Sequence, residues 1–458
     1  MKVIICGAGQ VGYGIAERLA AENNDVTIID NSPELVQRVN DTLDVRGFLG
    51  HGSQPETLDE VDARDADMII AVTLHDEVNM VACQVAHSIF GIPTKIARIR
   101  AQSYLEPHWR DLFSRDHMPI DVIISPEIEV GDMVLRRLGL PGAFETVNFA
   151  EGNVTFVGIT CADDCPVIDT PLRQLTELFP DLSAIVVAIN RDGKLIIPAS
   201  DFALAAGDDA YVVAKTKEVE RTLKIFGHTE KSAQRVIIAG GGNIGLYVGD
   251  KLEQTSAQSR AKIIEVDRKR AIKIAEKLAR TVVLNGSALN EEILKEADVT
   301  SADTLIAVTN DDQVNILSSV LARRFGCKRS LCLVNNIGYM PLVRSLNIGD
   351  SINPRAITVS RILQHVRRGR IRGVHTVQNG QGEVIEAEAL ETSPLVGAPL
   401  KDLELPAGVR IGAIHRKDEV IIPNGSTEIL ANDRIIIFSL AESVRAVEHL
   451  FRVSLEYF

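Results

Sequence analysis

Aromatic side chains are scarce: Phe, Tyr and Trp make up 4% of the 458 residues, with a single tryptophan. Cores must then be built from Val, Ile, Leu and Ala, which suits the central strands of α/β layers, buried on both faces. Long apolar runs are missing too. No stretch approaches the roughly 18 apolar residues of a membrane-spanning helix, and the opening run, Val3 to Cys6, is too short for a secretory leader. The expectation is a cytoplasmic protein with no transmembrane segment of its own, any membrane contact being peripheral.

Cysteine chemistry is sparse as well. Cys6, Cys83, Cys161, Cys165, Cys327 and Cys332 form no Cys-x-x-Cys pair, and no further His or Cys completes a ligand set around Cys161 and Cys165. They read as buried thiols, with no metal site expected. Positive charge is in deficit: the net charge is -13 and the pI about 5.4. Such a surface repels phosphate backbones, so nucleic acid is not an expected partner. The local cluster Arg367, Arg368, Arg370 and Arg372 reads as a solvated helix end or linker.

What the chain does contain, it contains twice. Residues 2–12 read KVIICGAGQVG and residues 235–245 read RVIIAGGGNIG; residues 68–83 read MIIAVTLHDEVNMVAC and residues 304–319 read TLIAVTNDDQVNILSS. Further on, AIVVAINRDGKLIIP (184–198) is echoed by VRIGAIHRKDEVIIP (409–423), each with apolar alternation around a hairpin turn at Arg191-Asp192-Gly193 or Arg416-Lys417-Asp418. A strand follows each hairpin (Asp209 to Ala214, Asp433 to Ser439), then a short amphipathic helix (Lys217 to Phe226, Glu442 to Phe451). The expected order is two large modules, 1–138 and 233–367, each followed by a small one, 142–228 and 372–458. The polar segment 227–234 and the helix-breaking LGLPG at 138–142 mark boundaries.

Each large module opens as strand, glycine turn, helix. Lys2 to Cys6 runs into Gly7-Ala8-Gly9-Gln10-Val11-Gly12, and Val11, Ile15 and Leu19 then recur at helical spacing. The first glycine allows the tight turn, the second the approach of a pyrophosphate, the third close packing of helix on strand. The helix N-terminus offers free N–H groups to phosphates. The next strand, Asp25 to Ile29, ends in Asp30, where a dinucleotide fold places the carboxylate that takes the adenosine ribose and disfavours a 2′-phosphate. The second copy has strand Arg235 to Ala239, glycines Gly240, Gly242 and Gly245, a helix stripe Ile244, Val248 and Leu252, and strand Lys262 to Ile264 ending in Glu265. The fold class is therefore α/β: two Rossmann-like parallel-sheet domains, each followed by a small α+β regulatory domain, as a tandem repeat.

A second shared loop joins Thr73 to the helix opening at Asp76-Glu77, and Thr309 to Asp311-Asp312. It lies at the carboxyl edge of a strand, beside the switch point where ligands sit, so nucleotide contact and simple helix capping both stand as readings. Asn79 and Asn315, three residues into their helices, read equally as solvent-facing or helix-packing residues and as ligand contacts. On the strand KIARIR (95–100), Arg98 and Arg100 face one side and need anionic partners, a nucleotide or a carboxylate. The matching strand, Ser330 to Asn335, has no arginine, so the two sites cannot be equivalent.

No proton-transfer set accompanies these folds. His108 and His117, around Trp109, show no evident partner, and there is no Tyr-x-x-x-Lys pair. An NAD-dependent oxidoreductase acting on a small metabolite remains the alternative, but no catalytic residue is assigned and the reading is of a non-enzyme.

The module order, both glycine openings, the loops VTLHDEVNM and VTNDDQVNI and the segment KIARIR resemble the bacterial Trk-system potassium uptake family, whose modules regulate potassium conductance. The resemblance spans nearly the whole chain. It implies a peripheral, nucleotide-binding regulatory subunit on the cytoplasmic face of a membrane potassium-translocating subunit, assembled as a homo-oligomeric ring and binding NAD(H), with ATP or ADP as further nucleotides. Carried over, it implies a first site of Gly7, Ala8, Gly9, Gln10, Val11 and Gly12 with Asp30, Thr73, Leu74 and Arg98. The second site is Gly240, Gly241, Gly242, Asn243, Ile244 and Gly245 with Glu265, Thr309 and Asn310.

Overall fold

The structure, a computed structural model, describes residues 1–229, 233–255, 258–346, 348, 350–366 and 371–451. The first large module follows the apolar runs of its sequence. Strands β1 (Lys2–Cys6), β2 (Asp25–Asp30), β3 (Arg46–Leu49), β4 (Met68–Ala71), β5 (Thr94–Arg98) and β6 (Val122–Ile124) alternate with helices α1 (Gln10–Ala21), α2 (Pro33–Thr42), α3 (Pro55–Glu60), α4 (Asp76–Ser88) and α5 (Pro126–Gly139). The sheet order is β3-β2-β1-β4-β5-β6, every pairing parallel. The sequence order reverses between β1 and β4, which creates a crevice at the carboxyl ends of those strands. Val3, Ile4, Ile5 and Cys6 are all fully buried, as expected of a central strand covered on both faces. Helix α2 starts where Ser32 accepts the N–H of Leu35 and Pro33 takes a first-turn position.

After this module the chain builds a small one from β7 (Ala143–Phe149), β8 (Val154–Thr160), α6 (Leu172–Leu178), β9 (Ala184–Arg191), β10 (Lys194–Ile196), β11 (Asp209–Lys215) and α7 (Val219–Ile225). The second large module repeats the first: β12 (Arg235–Ala239), α8 (Asn243–Thr255), β13 (Arg260–Glu265), α9 (Arg268–Lys277), β14 (Val282–Asn285), α10 (Glu291–Glu296), β15 (Thr304–Ala307), α11 (Asp312–Arg324), β16 (Arg329–Leu333), α12 (Met340–Ser345), β17 (Asp350–Ile352) and α13 (Pro354–Val366). Its sheet order, β14-β13-β12-β15-β16-β17, is the same. The second small module has β18 (Ile371–Val377), β19 (Gly382–Glu388), β20 (Val409–Arg416), β21 (Glu419–Ile421), β22 (Arg434–Leu440) and α14 (Val444–Leu450). Both small modules are five-stranded antiparallel sheets, and both hairpins turn at the positions expected.

The chain packs as two compact units: residues 1–135 with 233–366, and residues 136–232 with 367–458. Within the first, the large modules exchange their last helices. Ile362, Leu363 and Val366 of α13 belong to the core that holds Ile5, Ile15 and Leu19 of the first module. In return α5 lies against α8, where the Tyr247 hydroxyl donates to Asp132 at 2.7 Å and its ring covers Gly131. Within the second unit the small modules also share a core: Phe156 and Tyr211 cluster with Val384, Ile436 and Phe438. His375 reaches Glu145 at 2.6 Å across that pairing.

Three sequence readings need correction. β5 ends at Arg98, so Arg100 lies past the strand instead of sharing a face with it. β16 begins at Arg329, so the matching strand does carry an arginine, at its far end, while Leu333 and Asn335 stand opposite Arg98 and Arg100 in the repeat. Of the basic cluster, Arg372 is bound to Glu388, and Arg367, Arg368 and Arg370 lie outside the described residues. The six cysteines are buried thiols without disulfides. Burial pushes Cys6 up to about 12.

Candidate functional site

The first glycine turn is shaped to be empty at its centre. Gly7 has φ +109°, a region that L side chains avoid, and a β-carbon on Gly12 would lie 1.8 Å from the Gly7 carbonyl oxygen. Those two glycines are required by the turn itself. At Gly9 a β-carbon would meet nothing within 4 Å. Gly9 is also the cap residue of α1, with no side-chain cap and no acidic residue in the first turn. The first N–H groups of α1 therefore face open space, the arrangement that accepts phosphate. The second turn matches it: Gly240 has φ +108°, and a β-carbon on Gly245 would lie 2.0 Å from the Gly240 carbonyl oxygen.

The two acidic residues differ. Asp30 accepts the N–H of Ala8 at 2.6 Å and that of Ser32 at 2.9 Å, and its side chain still borders the crevice. Glu265 accepts the N–H of Gly241 at 2.8 Å and that of Asp267 at 2.8 Å, and it is buried. Both brace the glycine turn in addition to any ligand role.

The threonine loops are set by buried asparagines. Asn79 Oδ1 accepts the N–H and hydroxyl of Thr73 at 2.9 and 2.7 Å, while Nδ2 donates to the carbonyls of Thr73 and Arg98. Asn315 repeats this on Thr309 and Leu333. Both asparagines are fully buried, which overturns a solvent-facing role, and both spend their amides on their own loop and the neighbouring strand. Asp76 does not cap α4; its carboxylate accepts the N–H groups of Arg100 and Ala101, fixing the chain beyond β5. Asp312 does the same with Asn335 and Asn336, while Asp311 caps α11.

Arg98 and Arg100 part company. Arg100 pairs with Glu127 at 2.8 Å. Arg98 donates to the Thr73 carbonyl at 3.0 Å, and its buried Nε has no partner among the described residues. Burial holds the Arg98 guanidinium below its usual range, Arg100 adding to the effect while Glu127 and Asp76 oppose it. A buried cation with an unspent N–H favours an incoming anion.

Both turns open onto one cleft of about 750 Å³. Of the residues anticipated from sequence, Gly7, Gly9, Gln10, Val11, Asp30, Thr73, Leu74 and Arg98 border it from the first module, and Gly242, Asn243, Ile244, Thr309 and Asn310 from the second. Ala8, Gly12, Gly240, Gly241, Gly245 and Glu265 do not border it. The sequence did not single out His51, His75, Glu127, Arg270 or Arg355, which also border the cleft. Glu127 and Arg355 gave no signal, because the helix exchange that brings α5 and α13 there is a tertiary event. His108 and His117 do have partners, Glu106 at 3.5 Å and Ser114 at 2.8 Å, but these are local contacts away from the cleft.

Two parallel nucleotide-type sheets that trade helices and share a cleft, each followed by an antiparallel module, define a duplicated Rossmann-type protein. The TrkA-N domain matches residues 3–126 and 236–354, and the TrkA-C domain matches residues 156–227 and 384–452. The chain belongs to the TrkA family of Trk-system potassium uptake proteins. It is 60% identical, over all of both chains, to the Trk system potassium uptake protein TrkA of Azorhizobium caulinodans. It is 40% identical, again over all of both chains, to that of Halomonas elongata. A solved structure of the GsuK channel bound to NAD superposes with a TM-score of 0.60 at 15% identity, covering 98% of this chain and 78% of that one, a likeness of fold.

Proposed function

We propose that the chain is a nucleotide-sensing regulatory subunit of a potassium uptake system, peripheral on the cytoplasmic face of the inner membrane. It works as a homo-oligomeric ring that gates a membrane potassium-translocating subunit. Among the described residues no helix is long and apolar enough to cross a membrane. The observation that carries the reading is the open cradle at Gly9, framed by uncapped N–H groups of α1 and bordered by Asp30. In this reading the α1 N–H groups hold the pyrophosphate of NAD(H), Asp30 takes a ribose hydroxyl, and Arg98 offers its free N–H to the other half of the ligand. The second module's glycine turn, Thr309 and Asn310 frame the corresponding site, open to ATP or ADP as well as NAD(H). The modules divide at 1–138, 142–228, 233–367 and 372–458.

Both turns face one cleft, so a ligand there touches two bodies at once. A nucleotide that fits one arrangement of the modules better than another shifts their equilibrium by about 1–3 kcal/mol per site. Several sites in a ring reach the roughly 5.5 kcal/mol that inverts a 1:99 population. The chain's role is to bind and change shape, with no bond made or broken.

The test is titration of the purified chain with NADH, together with pull-down of the tagged protein from solubilised membranes with and without NADH. Stoichiometric uptake without turnover against a metabolite panel, and recovery of a potassium-translocating membrane protein, support the reading. Steady oxidation of NADH, or no nucleotide uptake by either half, sinks it.

A further inference from the structure

The first turns of the exchanged helices carry opposite charges at equivalent positions. Pro126-Glu127 opens α5 and Pro354-Arg355 opens α13. Glu127 is matched by Arg100. Arg355 is not matched: among the described residues no hydrogen bond or ion pair joins its guanidinium, whereas Arg361, further along the same helix, is bound to Glu129 at 3.1 Å. The Arg355 guanidinium rests on α1 of the other module, 5.9 Å from the Tyr13 ring. A β-carbon on Gly14 would lie 3.1 Å from its Nη2 and 3.2 Å from its Nε. It borders the same cleft as Gly7, Gly9, Gln10 and Val11.

We propose that Arg355, supplied by the second large module, is a phosphate-binding residue of the first module's nucleotide site. Gly14 lies one turn along α1 from Gln10, about 6 Å at 1.5 Å per residue. A long side chain with no acceptor to give up covers that distance by changing rotamer. An arginine there adds a forked donor to the N–H groups of the uncapped helix, complementing a terminal or bridging phosphate. The nucleotide of the first module is then held by both modules, and its binding strengthens the existing contact of α13 with α1. The counterpart acid, Glu127, offers no such attraction, so the two sites respond differently to ligand charge. This rests on the nucleotide reading above.

The experiment uses the full chain carrying Gly242→Val, which fills the second cradle, titrated calorimetrically with ADP and with AMP. Arg355→Ala is expected to weaken ADP binding tenfold or more and AMP binding much less, with Arg355→Lys between and Arg361→Ala unchanged. A merely structural role would weaken ADP and AMP alike, and that result overturns the proposal. So does an Arg355→Ala chain that takes ADP as the parent does. If the parent takes neither ADP nor NADH while its melting is normal, the nucleotide reading itself fails; a parent that takes NADH but not ADP overturns the Arg355 proposal alone.

Discussion

Glu265 accepts the backbone N–H of Gly241 at 2.8 Å, just as Asp30 accepts that of Ala8 at 2.6 Å, so each acidic residue ties the end of one strand to the glycine turn of another. The difference lies in exposure. Asp30 borders the cleft, and Glu265 is sealed behind Gly241 and Ile274.

Substitution at these residues separates binding from stability. Asp30→Ala is expected to weaken NADH binding about tenfold or more through loss of the ribose contact. Glu265→Ala leaves the buried N–H of Gly241 and the part-buried N–H of Asp267 without their acceptor, at a cost of about 1–3 kcal/mol, seen as a melting temperature lowered by several degrees. Calorimetric titration beside thermal unfolding checks both. Equal effects of the two substitutions on binding would refute the distinction.

Gly9→Val tests the cradle. Its φ of -63° suits any residue and nothing lies within 4 Å of the new β-carbon. The fold should be unaffected, within about 0.5 kcal/mol, while nucleotide uptake by the first module is lost. Retained uptake would show that the phosphates lie elsewhere.

Asn79→Ala and Asn315→Ala each remove four hydrogen bonds from a buried loop. Each is expected to destabilise its module by about 2–4 kcal/mol. Hydrogen exchange should show faster opening at Thr73 or Thr309 in the matching variant only.

Acid sensitivity has an identifiable contributor. Burial alone would raise the Glu253 carboxyl, but hydrogen bonds from Arg280, Thr281 and Ala279 outweigh it and bring it down to about 2. A carboxyl depressed in the folded state contributes stability that is present above its unfolded value, near 4.3. That stability is lost as the pH falls towards 2. Glu253→Gln should flatten the fall of melting temperature over this window and lower stability at neutral pH. An unchanged pH profile would remove Glu253 from the account.

The repeat, both glycine turns and the parallel order were legible in the sequence because each is local: a short apolar run, a turn needing glycine, then helical spacing. The asparagine loops were half legible. Their positions repeat, but whether Asn79 meets ligand or backbone depends on how Arg98's carbonyl approaches it. The arginines were misjudged for a related reason. A strand boundary two residues earlier moved Arg100 off the face of Arg98 and onto Glu127. Arg355 could not be placed at all, since nothing in its own neighbourhood announces that α13 will pack on the first module.

That exchange of helices has a consequence for how the two halves could diverge. A pair formed from separate single-module chains dissociates on dilution and, if the chains are identical, must be self-complementary. Written into one polypeptide, the pair forms at any dilution and its left side never has to equal its right. Covalent linkage thereby leaves one face free to carry an acid where the other carries a base, and gives the receptor a distinguishable front and back.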